Sequence, residues 1–287
     1  MDNLLEVKNL NKKYNDFSLV NINFNLPKGK IIGFVGENGS GKTTTIKSIL
    51  NLIKIDTGII KIFDINHDKL TNDLREKIGV VLDDGFLPEQ LNYEDVRLIM
   101  RGLYSKWDDN LFYEYVKKFK LPKNKTMKEY SSGMKMKLKL IVALCHHPEL
   151  LILDEPTSGL DPIARYDVLD ILKDFIKDNN HAILISSHIT SDLENIADYI
   201  MFIDNGKIIL EEDKKVLMNQ YGIVRISPDE IEKIDKNNYI KYLKYKDISL
   251  LLVSDKDKFK HIYPNYEIER PSIENIMLVF MRGDKYE

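Results

Sequence analysis

Gly36-Glu37-Asn38-Gly39-Ser40-Gly41-Lys42-Thr43 limits this chain's possible folds more than any other stretch. It follows Ile31 to Val35, a short apolar run without alternation, as expected of a strand buried on both faces. After it, Thr43 to Leu52 carries apolar residues at helical spacing, at Ile46, Ile49 and Leu50. Strand, glycine-rich loop and helix in that order match the pattern G-x-x-x-x-G-K-[ST]. The glycines let successive backbone N–H groups turn toward one anion, and the helix adds its positive N-terminal end. Lys42 supplies a point charge for the β- and γ-phosphates of a nucleotide, and the Thr43 hydroxyl can ligate Mg²⁺.

The rest of the chain alternates between strand and helix, which reads as an α/β fold. Leu4 to Leu10 and Phe17 to Leu26 have strand-like alternation, and Pro27-Lys28-Gly29-Lys30 marks a turn. Ile59 to Phe63 and Ile78 to Leu82 read as further strands. From Pro88 to about Leu144 the pattern is helical, most clearly over Tyr93 to Tyr104 and Leu111 to Phe119. Leu150 to Leu153 and Ala182 to Ile185 return to buried-strand character, with a helix from Ile163 to Ile176 between them. Tyr199 to Ile203 and Lys207 to Leu210 resemble a hairpin turning on Asp204-Asn205-Gly206. After Gly222 the chain mixes short strands and helices and reads as a small α/β appendix.

Leu150 to Leu153 runs into two carboxylates, Asp154 and Glu155. Alone, that is an acidic turn after a strand. In an open α/β sheet, however, ligands gather at the carboxyl ends of strands. Beside a phosphate loop, Asp154 would hold Mg²⁺ through water and Glu155 would polarise the attacking water as general base.

The bulk properties exclude several other classes. A net charge of -3 and a pI near 6.1 give no electrostatic reason to expect a nucleic-acid partner. The one cysteine, Cys145, has no internal partner for a disulfide and fits a reducing compartment. Met1 to Glu6 shows no basic region followed by an apolar run, so no signal peptide is expected. Apolar stretches such as Ile248 to Val253 fall far below the roughly 20 residues needed to cross a bilayer, so action on a membrane would need a partner.

Four further pieces make the resemblance specific. Tyr130-Ser131-Ser132-Gly133-Met134 is similar to the L-S-G-G-Q signature of ATP-binding-cassette (ABC) ATPases. Ser158-Gly159-Leu160-Asp161 resembles that family's D-loop, and His188 its switch histidine. Tyr14 stands where an aromatic residue stacks on adenine. In order and spacing the chain resembles this family from about Leu4 to Tyr221, and in particular the ATP-binding subunits of bacterial ABC-2-type exporters.

The resemblance implies a P-loop NTPase cassette over residues 1–222, with a mixed sheet core, an antiparallel β region and a helical subdomain at about 86–147. Residues 223–287 would be an accessory α/β region, dispensable for ATP binding. It implies ATP and Mg²⁺ as cofactors and a catalytic set of Glu155, His188 and Lys42. Nucleotide contacts would come from Tyr14, Gly36, Asn38, Gly39, Ser40, Gly41, Lys42, Thr43 and Thr44. Ser131, Ser132 and Gly133 open a helix whose free N–H groups would meet the γ-phosphate held by a second subunit. The implied assembly is a head-to-tail dimer, of identical copies or paralogues, around two ATPs. It would drive separate integral membrane permease subunits from the cytoplasmic face, exporting a peptide or drug-like substrate. A coupling element of the permease would dock in a groove lined by residues near Asp83 to Tyr104.

Two departures stand out. Ser132 and Met134 replace Gly and Gln of the signature, and a basic helix follows with Lys135, Lys137 and Lys139. Asp83 stands where the family has a metal-ligating Gln. Ionised, it can ligate Mg²⁺ but has no proton to donate. A soluble ABC protein of translation or DNA repair would carry two cassettes or a long insertion, whereas only a compact stretch separates Asp83 from Ser131. A nucleotide-gated scaffold without turnover would not need Lys42, Glu155 and His188 together.

Lys42→Ala removes the one full positive charge of the loop, which partial charges on N–H groups do not replace. It should weaken ATP binding roughly 10- to 100-fold in an equilibrium titration. Unchanged affinity would contradict the phosphate-loop assignment.

Overall fold

The computed structural model describes residues 2–82 and 87–284. The chain opens with β1 (Asn3–Lys13), β2 (Ser18–Pro27) and β3 (Ile31–Val35), followed by α1 (Lys42–Ile49). Next come β4 (Thr57–Ile62), β5 (Ile65–Asn66), α2 (Asn72–Arg75) and β6 (Ile78–Val81). A helical stretch holds α3 (Tyr93–Leu103), α4 (Asp109–Lys118) and α5 (Ser132–Leu144). It is followed by β7 (Leu150–Asp154), α6 (Pro162–Phe175), β8 (Ala182–Ser187), α7 (Thr190–Ile196), β9 (Tyr199–Asp204), β10 (Lys207–Asp213) and α8 (Lys214–Asn219). The last part comprises β11 (Gly222–Ile226), β12 (Lys241–Lys244), β13 (Ser249–Val253), α9 (Lys256–Ile262), β14 (Ile268–Glu269) and α10 (Ile273–Arg282).

The strands form three sheets. One is antiparallel, in the order β2-β1-β4-β5. The central sheet runs β10-β9-β3-β8-β7-β6, parallel except for the β9–β10 hairpin. The hairpin expected around Asp204-Asn205-Gly206 turns on Asn205 and Gly206, both at positive φ, with Asp204 already paired to Lys207. The third sheet, β12-β13-β11-β14, is antiparallel.

Every position of β3 and β7 is buried because two cores meet on the central sheet. Alternate residues point to opposite faces. Ile32, Phe34, Leu150, Ile152, Leu184, Met201 and Ile203 pack with α1 and the inner face of the antiparallel sheet. Ile31, Val35, Leu151, Leu153, Ile183, Ile185, Ile200 and Phe202 pack toward α5, α6, α7 and the helical stretch. In that stretch α3 is started by Asn92, whose side chain accepts the N–H of Glu94 and Asp95 while Asp95 accepts the N–H of Asn92. It buries Tyr93, Val96 and Met100 and leaves Leu98, Ile99 and Leu103 exposed. No helix among the described residues is long and apolar enough to cross a membrane.

The C-terminal part shares the core of the part before it. One face of β11 and β13 builds a small core with Phe259, Ile231 and Ile234. The other face, through Ile223, Leu250 and Leu252, joins the same core as Ile196, Phe202, Leu217 and Tyr221. α10 completes this junction with Ile273, Ile276 and Val279. Its Ile273 N–H donates to Glu194 on α7 at 2.6 Å, and the ring of Phe280 stands edge-on to Phe202 at 6.1 Å. At its end Arg282 pairs with Glu37 of the phosphate loop at 2.8 Å. Cutting the chain after Tyr221 would therefore bare apolar surface beneath α7 and β9.

Ile276 is fully buried at this junction. Ile276→Ala should cost about 2–5 kcal/mol in a denaturant melt, through lost burial and the cavity left behind. A cost near zero would mean that α10 is only loosely attached.

Candidate nucleotide site

β3 ends at the phosphate loop, and α1 starts where Gly41 adopts φ 115°, a conformation side chains rarely tolerate. A Cβ on Gly41 would lie 2.8 Å from Leu19 and 2.9 Å from Phe17, and one on Gly36 would lie 2.4 Å from the Ser40 hydroxyl. Gly36 is thus required for space, and Gly41 for space and for φ. Asn38 and Gly39 are exposed at the tip of the loop, Ser40 is buried, and Thr44 is half-buried in the first turn of α1. The Ser40 hydroxyl is buried without a hydrogen-bond partner.

Lys42 is buried and folds back over its own loop. Its ammonium donates to the carbonyls of Gly36 at 2.7 Å and Glu37 at 3.2 Å. It also lies 3.2 Å from Oε1 of Glu155 in an ion pair. The Thr43 hydroxyl donates to Oδ2 of Asp154 at 2.7 Å. Ser186 donates to the other oxygen of Asp154 at 2.6 Å and accepts the N–H of Glu155 at 2.9 Å. His188 donates twice to Oε2 of Glu155, from ring Nδ1 at 2.7 Å and from its backbone N–H at 3.2 Å. Glu155 has φ 51°, uncommon outside glycine and characteristic of functional sites. Its Oε1 makes no hydrogen bond despite being buried.

The structure thus brings together Lys42, Thr43, Asp154, Glu155 and His188, all singled out from the sequence. It adds Ser186, to which the sequence assigned no role. Its one signal was a pair of serines closing an otherwise apolar strand. The hydroxyl of Thr43 and the carboxylate of Asp154 are hard oxygen donors already in contact, a set suited to Mg²⁺, which keeps several waters and takes one or two carboxylates plus phosphate oxygens. Asp83 lies outside the described residues.

Tyr14 is 41% exposed, with the ammonium of Lys12 5.4 Å from its ring centre, so it is not a core residue. Its N–H donates to the carbonyl of Phe17, the residue that packs against Gly41.

Ser131 caps α5, accepting the N–H of Met134 at 3.2 Å. Ser131 and Ser132 are exposed, whereas Gly133 is buried against α6, where a Cβ would stand 2.8 Å from Ala164. The Ser132 hydroxyl donates to the carbonyl of Gly159 at 3.3 Å, which joins this segment to Ser158–Asp161. Asp161 caps α6, and the N–H groups of Ala164 and then Ile163 hold its carboxyl below the usual range. The stability it adds is present above the unfolded-state value and is lost as pH falls through the lowered one.

A cleft of about 420 Å³ opens between α1, β6 and α5, lined mostly by apolar side chains including Leu52, Leu70, Ile78 and Val142. From the stretch expected to line a groove, Tyr104 does so. The remaining lining comes from elements on either side of it.

A phosphate loop opening a helix at the carboxyl edge of a parallel sheet, facing a buried Asp-Glu pair at the end of β7, the next strand but one, defines a P-loop nucleoside triphosphatase. Residues 19–158 match the family model for the ABC transporter. The chain is 38% identical over 215 residues to the bacitracin transport ATP-binding protein BcrA of Enterococcus faecalis, an alignment covering 74% of this chain and 70% of the relative. It is 37% identical over 216 residues to the lantibiotic transport ATP-binding protein SrtF of Streptococcus pyogenes, covering 73% and 91%. Among solved structures, cbiO1 from Clostridium perfringens, part of the ABC transporter complex cbiONQ, matches with a TM-score of 0.63 at 28% identity, over 75% of this chain and 90% of that one. The chain belongs to the ABC transporter family as an ATP-binding subunit, and it binds and hydrolyses ATP.

Ser186→Ala should leave Oδ1 of Asp154 and the N–H of Glu155 buried without this partner. The expected cost is about 1–3 kcal/mol of stability, with reduced ATPase activity. A fully active variant of wild-type stability would show that the bridge is dispensable.

Proposed function

We propose that this protein hydrolyses ATP with Glu155 as general base and passes the resulting closure and opening to integral membrane permease subunits. The observation that carries the assignment is the placement of Glu155 between Lys42 and His188. In this arrangement Lys42 and Glu155 neutralise each other. The phosphates of ATP compete for Lys42, and their binding frees Oε1 of Glu155 to take a proton from the attacking water. His188 holds the other oxygen and so aims the carboxylate. The N–H groups from Gly36 to Thr44 and the Lys42 ammonium hold the β- and γ-phosphates, and Tyr14 stacks on the adenine. Thr43 and Asp154, with Asp83 as a third candidate, hold Mg²⁺, which neutralises phosphate charge.

Ser131, Ser132 and Gly133 serve the ATP of a second subunit, identical or paralogous. The exposure of Ser131 and Ser132 at a helix N-terminus, on a segment bonded to Ser158–Asp161, supports this reading. The apolar cleft between α1, β6 and α5 is the docking groove for a permease helix. The exposed Leu98, Ile99 and Leu103 of α3 add apolar surface for the same partner. The subunit therefore works in the cytoplasm, on the inner face of the membrane through its permease. The relatives named for bacitracin and lantibiotic transport support export of an amphipathic peptide or drug. Coexpression with the membrane partner in a susceptible bacterium should raise tolerance to such a peptide.

Glu155→Gln keeps the shape of the side chain and removes the base. Turnover should fall about 10²- to 10⁴-fold while ATP still binds. The lost negative charge should also favour the ATP-bound dimer in size-exclusion chromatography, and tolerance in the coexpression strain should disappear. Turnover at the wild-type rate would remove Glu155 from its role.

A further inference from the structure

α6 begins directly after Ser158–Asp161, and α7 begins two residues after His188. A single side chain ties these first turns together. Arg165 on α6 donates from Nε to Oδ1 of Asp192 at 2.6 Å and from a terminal nitrogen to the Ser191 hydroxyl at 2.8 Å. Asp192 is only 2% exposed, and its other oxygen has no hydrogen-bond partner. Arg165 is thus the described cation that compensates this buried charge, and a two-pronged donor fixes direction as well as distance.

The segment from Ser187 to Asp192 is held at both ends. At its start Ser187 is paired with Val35 in the central sheet, and its hydroxyl accepts the N–H of Ile189 at 2.9 Å. At its end Arg165 grips Ser191 and Asp192. His188 lies between these anchors and reaches Glu155 with ring and backbone. The same α6 carries Asp161 as its cap and Ala164 against Gly133. A shift of the Ser158–Asp161 turn therefore moves Arg165, and with it the far anchor of the His188 segment.

We infer that Arg165, through Asp192 and Ser191, is a positioning residue for His188, so that hydrolysis is aligned by the segment proposed to face the second subunit. This rests on the role proposed for His188 and Glu155. Arg165 touches no nucleotide in this reading, so its loss should act on the chemical step and spare binding.

The test uses the full chain with Arg165→Lys, Asp192→Asn and the double variant. Each keeps side-chain volume, and Arg165→Lys also keeps the charge, so folding can be verified by thermal melting. ATP affinity is measured by equilibrium titration, and kcat and KM by steady-state ATPase assay. Each single variant should lose about tenfold in kcat, with KM and ATP affinity within about twofold of wild type. The double variant should be no slower than the slower single one, because the two residues act as one unit. Wild-type kcat in both single variants would overturn the inference. So would equal losses in kcat and affinity, which mark a general structural defect, or fully additive losses in the double variant. His188→Ala run in parallel separates the two readings: full turnover there would remove the role of His188 itself, whatever the Arg165 variants do.

Discussion

The site depends on the register of three parallel strands, β3, β8 and β7. Phe34 and Asp154 both lie opposite Ser186, and Val35 lies opposite Ser187. That pairing puts the start of the phosphate loop, the Asp154-Glu155 pair and the approach to His188 at one edge. A slip of one residue would turn every side chain to the other face. The two cores packed against this sheet prevent it, because each takes alternate residues of the same strands. Burial on both faces is thus the condition for chemistry at the edge.

Within that frame Glu155 solves a local problem. Consecutive residues of an extended strand point to opposite faces, so Asp154 and Glu155 would diverge if the strand continued. The left-handed backbone at Glu155 breaks the strand and turns the second carboxylate into the site. Such a conformation costs on the order of 1–3 kcal/mol. Ser186 accepts the Glu155 N–H, and the Ser158 N–H donates to the Glu155 carbonyl, which offset part of that cost. The strain is held by one strand on one side and by the turn leading to Asp161 on the other.

The same economy links distant parts of the chain. Gly133, Ala164 and Arg165 join the start of α5 to the start of α6 and then to α7. α7 is held in turn by α10, through Glu194 and the shared core, and α10 reaches the phosphate loop through Arg282 and Glu37. The Arg282–Glu37 pair is exposed and adds little stability by itself. The buried contacts of α10 carry the attachment.

Local chemistry could be read from the sequence. The phosphate loop, the buried strands and the turn at Asp204-Asn205-Gly206 are each set by residues within a few positions of one another. Short-range sterics and periodicity suffice for them. Asp154, Glu155 and His188 were legible because they end apolar strands in a family order, while the bonds that assemble them were not. Lys42 meets Glu155, Ser186 bridges Asp154 to Glu155, and Arg165 meets Asp192 only because the sheet and helices bring distant segments together. Which core the last 65 residues attach to was likewise not fixed by pattern, since Ile223 and Ile276 read as apolar whichever core they enter. Tertiary packing decided it, because the faces of β11 and β13 turned toward α10 bury their area only by sharing the core of α7 and β9.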